Sequence, residues 1–205
     1  MKLHTGMGPN PRTVRMFAAE KGLDLPLVEV DLMAGENRQE PYKQKNPDAR
    51  LPCLELDDGT FISEIIPICE YLEEKNPSPA LVGTTAEERA ETRMWVRRID
   101  LNIIEPLTNG FRFAEGQGLF ESRMHLIPHA ADDLKAIAQE NLAWLDGLMG
   151  KNEWIAGSRL TLADVFLFAF ADFGKMVGQT IDPKCAWLTS WQDRMGARPS
   201  AVASA

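Results

Sequence analysis

A small α/β domain followed by an all-helical one is the fold class this sequence predicts, and three observations predict it. Strand and helix signals alternate over residues 1–76. A Pro- and Gly-bearing stretch, NPSPALVGTT, then places a linker at 77–86. From Glu87 to residue 205 only helical periodicity recurs, so the second domain spans 87–205.

The elements follow in order. KLHT is a short strand. The bend Gly6-Met7-Gly8-Pro9 leads into a helix, PRTVRMFAAEKG, with Asn10 expected as N-cap, Pro11 as first helical residue and Gly22 as the stop. LVEVDL alternates and reads as a second strand. After an irregular or helical stretch, PCLELDDGTFI puts two apolar runs around Asp58-Gly59, a hairpin signal. PICEYLEEKN is the next helix, with Pro67 in its first turn. Helices then follow at about 87–114, 121–149, 161–177 and 184–196. Thr161 and Asp164 stand at capping-box spacing before the apolar run VFLFAF, where hydroxyl and carboxylate each satisfy a free backbone N–H.

Composition excludes several functions. The chain has 205 residues, 44% of them hydrophobic, enough for a sizeable core. Its net charge of −8 argues against a nucleic-acid partner, because phosphate contacts need clustered cations. No run of about 18 apolar residues is present, so no membrane span is expected. The absence of a signal-peptide core points to a cytoplasmic protein. Cys53, Cys69 and Cys185 are odd in number and share no C-x-x-C spacing, which argues against a disulfide framework, a metal site and a dithiol pair. Pro52 precedes a strand, where it cannot donate to the ladder. Only about 5–6% of X-Pro bonds are cis, so physics alone makes trans the expectation there.

RLPCLELDDGTFISEIIPICEYL resembles the glutathione-binding segment of the cytosolic glutathione transferases, usually V-P-x-L-x-x-D-D-G-x-x-x-x-E-S-x-A-I-x-x-Y-L. GSRLTLADVFLF resembles that family's capping box, and the resemblance covers essentially the whole chain. It implies a thioredoxin-like first domain and an α-helical bundle second, glutathione as co-substrate, and a homodimer. It implies a cis bond at Pro52, and a Leu51 backbone that pairs with the cysteinyl backbone of glutathione. Glu64, with the helix start after it, would hold the γ-glutamyl end.

The departures are specific. The usual Ser after the Glu is Ile65, which keeps only its backbone N–H, and Gly8 stands where related sequences have Ser or Thr. The chain resembles most an atypical subfamily that also lacks that first-turn side chain, whose G-E-H-K loop aligns with Gly35-Glu36-Asn37-Arg38. Arg38 would then meet the glycyl carboxylate. Arg38 and Arg50 each read equally as a ligand contact or as a surface cation.

A first turn without Ser, Tyr or Cys is chemically sufficient because glutathione brings its own thiol. Lowering that thiol from about 8.5 to about 6.5 takes roughly 2.7 kcal/mol. A helix N-terminus contributes about 0.3–1 kcal/mol at exposed sites. At least one donated hydrogen bond is therefore needed, and the nearby candidates are Thr5 and Asn10. Thr108 and Arg112, four apart on one helix face, are a second source, since the resemblance implies a hydroxyl and a His at those places. Phe111 and Phe113, with Leu119 and Phe120, would line an apolar acceptor pocket. The expected reaction is thiolate attack on a small electrophile, or reduction of a peroxide or mixed disulfide. The alternative is a non-catalytic binding or structural module of the same fold.

Overall fold

The computed structural model describes residues 1–205 and realises the α/β-plus-helical class. Two compact units form, Met1–Thr84 together with Ala197–Ala205, and Thr85–Gly196.

In the first unit, four strands form one mixed sheet: β1 (Lys2–Thr5), β2 (Leu27–Glu29), β3 (Cys53–Glu55) and β4 (Phe61–Ser63), in spatial order β2-β1-β3-β4. β1 runs parallel to β2 and antiparallel to β3, with His4 opposite Cys53 and Leu3 opposite Leu54. The parallel pair needs a crossover, and α1 (Pro9–Glu20) supplies it. The Asp58-Gly59 hairpin joins β3 to β4, with Gly59 at φ 84° where a side chain is disfavoured. α2 (Glu40–Lys43) is one turn within the irregular stretch, and α3 (Ile65–Lys75) packs against α1. Leu3, Val14, Phe17, Leu54, Ile68 and Leu72 are fully buried between the sheet and these helices. Each such side chain contributes about 1.5–3 kcal/mol relative to exposure. Across the sheet, Val30, Tyr42, Leu51 and Cys53 form a second cluster that includes Leu32 and Phe61.

An ion pair closes this unit. Lys21 Nζ donates to Glu73 Oε2 at 2.6 Å and to the Pro79 carbonyl at 2.6 Å. Glu73 also accepts the backbone N–H groups of Leu81 and Val82. The stretch after α3 is thus fastened by a buried ion pair in which each charge also bonds the backbone of that stretch.

The second unit contains α4 (Ala86–Ile99), a π-helical segment (Asp100–Ile104), α5 (Glu105–Arg112), α6 (Gln117–Phe120), α7 (Ala131–Met149), α8 (Leu162–Met176) and α9 (Ala186–Gly196). α8 is the central helix, buried from Leu162 through Ala171. Its capping box is formed as expected, and Asp164 is completely buried. Its carboxylate accepts from Ile155 N, Thr161 N, Thr161 Oγ1 and Trp191 Nε1 at 2.9–3.1 Å. The donors Ile155 and Trp191 belong to other segments, so the cap is also a junction.

Four sequence expectations need correction. Gly8, at φ 105°, is the N-cap of α1, and Pro9 takes the first helical position that its fixed φ suits. Asn10 therefore lies inside the first turn. The helix expected at 87–114 runs without a break from Ala86 to Arg112, but it is not α-helical throughout: Asp100–Ile104 is a π-helical segment just before Pro106, which has no N–H. The helix expected from 121 begins at Ala131, after a 3-10 turn opened by Pro128. A short helix, α10 (Pro199–Ala203), was not anticipated and packs on α1.

Candidate active site

The site is built where β3 begins and α3 starts. The loop before β3 is pinned at one carbonyl, since Arg50 O accepts from Tyr42 Oη at 2.6 Å and from Asn46 Nδ2 at 2.8 Å. One residue earlier, Ala49 sits at φ 54°, and its carbonyl takes the Asn37 amide at 2.5 Å. The Leu51–Pro52 bond that follows is cis. The backbone N–H and C=O of Leu51 form no hydrogen bond within the chain, so a peptide strand laid alongside would pair with both.

Glu64 occupies the N-cap of α3 at φ 73°, ψ 141°, without capping the helix through its side chain. Such a conformation at a non-glycine residue costs of the order of 1–3 kcal/mol. It is enforced from both sides, by the β4 ladder ending at Ser63 and by the buried Ile65 and Ile68. The result is an exposed carboxylate beside a helix N-terminus. Pro67 has no N–H and the Ile68 N–H is spent on Glu64 O, which leaves those of Ile65 and Ile66 free to receive an anion.

Asn10, Asn46, Arg50, Leu51, Pro52, Glu64 and Ile65 line one depression. Six of these are residues the sequence singled out. Asn46 is the one it missed, although the Asn-Pro pair at 46–47 marks a turn. Arg38 does not line the depression: it is exposed at the end of the 3-10 turn Glu36–Arg38. Its neighbour Asn37 is the residue that ties this turn to the Arg50 loop.

The first turn of α1 offers few donors. Pro9 and Pro11 have none, and the Arg12 N–H is directed at Gly8 O. The Asn10 N–H and side-chain amide remain. Open space surrounds Gly8, so room for a hydroxyl is not what excludes Ser; a φ of 105° is. Thr5 is fully buried, and its oxygen accepts from Arg15 Nη1 at 2.7 Å. A separate cavity of about 320 Å³ lies beyond the carboxyl ends of β1 and β2, lined by residues including Glu29, Asp31 and Glu36. Cys53, just after Pro52, is buried and its thiol is pushed up to about 11 by burial, so it is not a nucleophile.

In the helical unit, Thr108 and Arg112 share a face of α5. The Thr108 hydroxyl donates back to Ile104 O at 2.8 Å, leaving a lone pair rather than a hydrogen for a neighbour. Arg112 donates to Asn109 Oδ1 at 3.0 Å and lies over the Phe120 ring, 5.6 Å from its centre. Phe113 is buried in the core, whereas Phe111 is half-exposed and meets Phe173 edge-on at 5.1 Å. Phe173, on α8, was not picked out by sequence reading because its position is periodic with the core face.

Comparison with known proteins adds to this geometry. A family model described as glutathione S-transferase, N-terminal domain, matches residues 7–75, and one described as glutathione S-transferase, C-terminal domain, matches residues 128–199. A glutathione S-transferase domain-containing protein from Marinobacter aquaeolei is 35% identical, with a TM-score of 0.91 over 98% of this chain and 99% of its own. Gtt2 from Saccharomyces cerevisiae superposes with a TM-score of 0.92 at 28% identity, over 100% of both chains. Maleylacetoacetate isomerase from Pseudomonas aeruginosa is 32% identical over 91% of this chain and 86% of its own.

Proposed function

The chain belongs to the glutathione S-transferase family and is an enzyme of it; on that premise we propose that it binds glutathione in the depression at Glu64 and presents the thiol, as thiolate, to a small electrophile or to a peroxide or mixed disulfide. The observation that carries this reading is the convergence of a peptide-pairing backbone and a zwitterion site in one place. Leu51, held by the Arg50 loop, offers an unpaired N–H and C=O for the cysteinyl backbone. The free N–H groups at the start of α3 suit the γ-glutamyl carboxylate, and the exposed Glu64 suits its ammonium. Arg50 adds a cation for the glycyl end, with Arg38 as the further candidate.

The Asn10 N–H and amide are the donors assigned to the sulfur. One such hydrogen bond to a charged atom contributes about 1.5–3 kcal/mol. Added to the helix N-terminus, this reaches the roughly 2.7 kcal/mol that a two-unit fall in thiol pKa requires.

Thiolate absorbance of bound glutathione against pH tests the activation step. The parent should titrate well below free glutathione, and Asn10→Ala should move the midpoint up by about one unit or more. The Thr108→Val/Arg112→Ala double change belongs in the same series, and a rise there would bring α5 into the mechanism. A parent that titrates like free glutathione would favour the non-catalytic binding module.

A further inference from the structure

Segment Ala197–Ala205 folds with the first unit, and arginines fasten it to α1. Arg198 forks onto Glu20, Nε to Oε1 at 2.5 Å and Nη2 to Oε2 at 2.8 Å, and Ser200 Oγ donates to the same Oε1. Arg12 Nη2 reaches the Ala201 carbonyl at 3.4 Å. Arg15 makes the widest connection. Its Nε and Nη2 donate to the Ser204 carbonyl at 3.3 and 2.9 Å, while Nη1 donates to Thr5 Oγ1 at 2.7 Å and to the Gly6 carbonyl at 3.1 Å.

Thr5 and Gly6 open the turn between β1 and α1. On the other side, Thr5 O accepts the Val30 N–H at 2.9 Å, and Gly6 is pressed so closely on the Val30 carbonyl that a Cβ would sit 2.7 Å from it. Beyond Gly6, Met7 and Gly8 are exposed, and the first contact back to the helix is the 3.4 Å Arg12–Gly8 bond. The placement of the first turn of α1 therefore depends on how Gly6 is held. A guanidinium suits this task because its donors lie in a rigid planar fork, whereas an ammonium fixes no direction. Burial lowers the Arg15 pKa, with Glu29 acting against that effect.

We propose that Arg15 is a positioning residue: by gripping Thr5, Gly6 and Ser204 at once, it couples docking of segment 197–205 to the geometry of the β1–α1 turn that presents Asn10. Its consequence for the thiol rests on the function proposed above; its consequence for the turn does not. Loosening the segment at Arg198, away from the turn, should transmit to the turn through Arg15.

The test uses the full chain with Arg15→Ala, Arg15→Lys and Arg198→Ala, read by amide hydrogen exchange without glutathione and by the thiol pKa with glutathione saturating. Exchange at Val30, bonded to Thr5 O, and at residues 12–14, whose N–H groups bond to the carbonyls of the first turn, should quicken about tenfold or more in Arg15→Ala and less in Arg198→Ala, while residues 64–68 exchange as in the parent. Thiol pKa should rise in the same order, with glutathione affinity changed by less than about threefold, and added guanidinium should partly restore Arg15→Ala. Arg15→Lys should fall between parent and Arg15→Ala. Should Arg15→Ala not fold, Arg198→Ala carries the test alone. Parent-like exchange at Val30 and residues 12–14, or loosening spread evenly through β3, β4 and α3, would overturn the proposal. Exchange that responds while parent thiol shows no shift would uphold the positioning role and sink the thiolate reading.

Discussion

Asp164 provides a prediction whose size follows from counted groups. Its carboxylate oxygens take two donors each, Ile155 N and Trp191 Nε1 on Oδ1, and Thr161 N and Oγ1 on Oδ2. Asp164→Ala strands three N–H donors in a fully buried place, at about 1–3 kcal/mol each. The loss should be at least about 3 kcal/mol, or about 6 °C or more in melting temperature at this size. Asp164→Asn should be milder. Its oxygen can keep Ile155 and Trp191, and the Thr161 hydroxyl can turn to accept from the new NH₂, so only the Thr161 N–H is stranded, for about 1–3 kcal/mol. Urea unfolding followed by tryptophan fluorescence measures both. Equal losses, or losses below about 0.5 kcal/mol, would refute the reasoning. The pH dependence adds a sign. Burial pushes this carboxyl up to about 6 from an ordinary 3.8, so the folded chain holds an extra proton between those values. The parent therefore gains stability as pH falls through 6, and the cost of Asp164→Asn should grow on acidification. A cost that shrinks instead would mean that the four donors outweigh burial.

Three further predictions follow. Lys21→Met should cost about 3–5 kcal/mol, because it leaves Glu73 charged and buried; the double change with Glu73→Leu should cost less than the sum of the two single changes, as denaturation midpoints would show. Hydrogen bonds from His4 and Lys2, with further charge from Lys2 and Lys45, hold the Glu55 carboxyl at about 2, below its ordinary 4.5. Its stabilisation is present above 4.5 and lost as pH falls toward 2, and acid titration of Glu55→Gln should lack that step. The exposed Met94, Leu101, Arg97 and Arg98 on and after α4 fit a self-complementary face, so light scattering should give twice the 22.9 kDa chain mass; the monomer mass would contradict the homodimer.

Much of the fold is legible because local rules and tertiary packing agree. The Asp58-Gly59 hairpin, the Thr161/Asp164 cap and the switch from alternating to helical periodicity each report a backbone need that the fold meets. What escaped depends on partners distant in sequence. Nothing around Pro199 shows that α10 docks on α1, because the ties come from Arg12, Arg15 and Glu20, about 180 residues away. The Lys21–Glu73 pair reads as two ordinary helical charges until Pro79 and Val82 are seen to close around it. At the candidate site, Glu64, Leu51 and Pro52 stand in one contiguous motif and were legible through it. Asn46 was not, since its role is to hold the Arg50 carbonyl rather than to complete a pattern. Thr108 shows the converse: sequence spacing places a hydroxyl on the right face but says nothing of its bond to Ile104.

Calorimetric titration of the parent and of Glu64→Ala with glutathione tests the central claim most directly. Glutathione should bind the parent, and removing the carboxylate that meets its ammonium should weaken binding roughly ten- to a hundred-fold, or about 1.5–3 kcal/mol, with unfolding unchanged because alanine keeps the Cβ and so the strain at φ 73°. Equal affinities for parent and variant, or no binding to either, would contradict it.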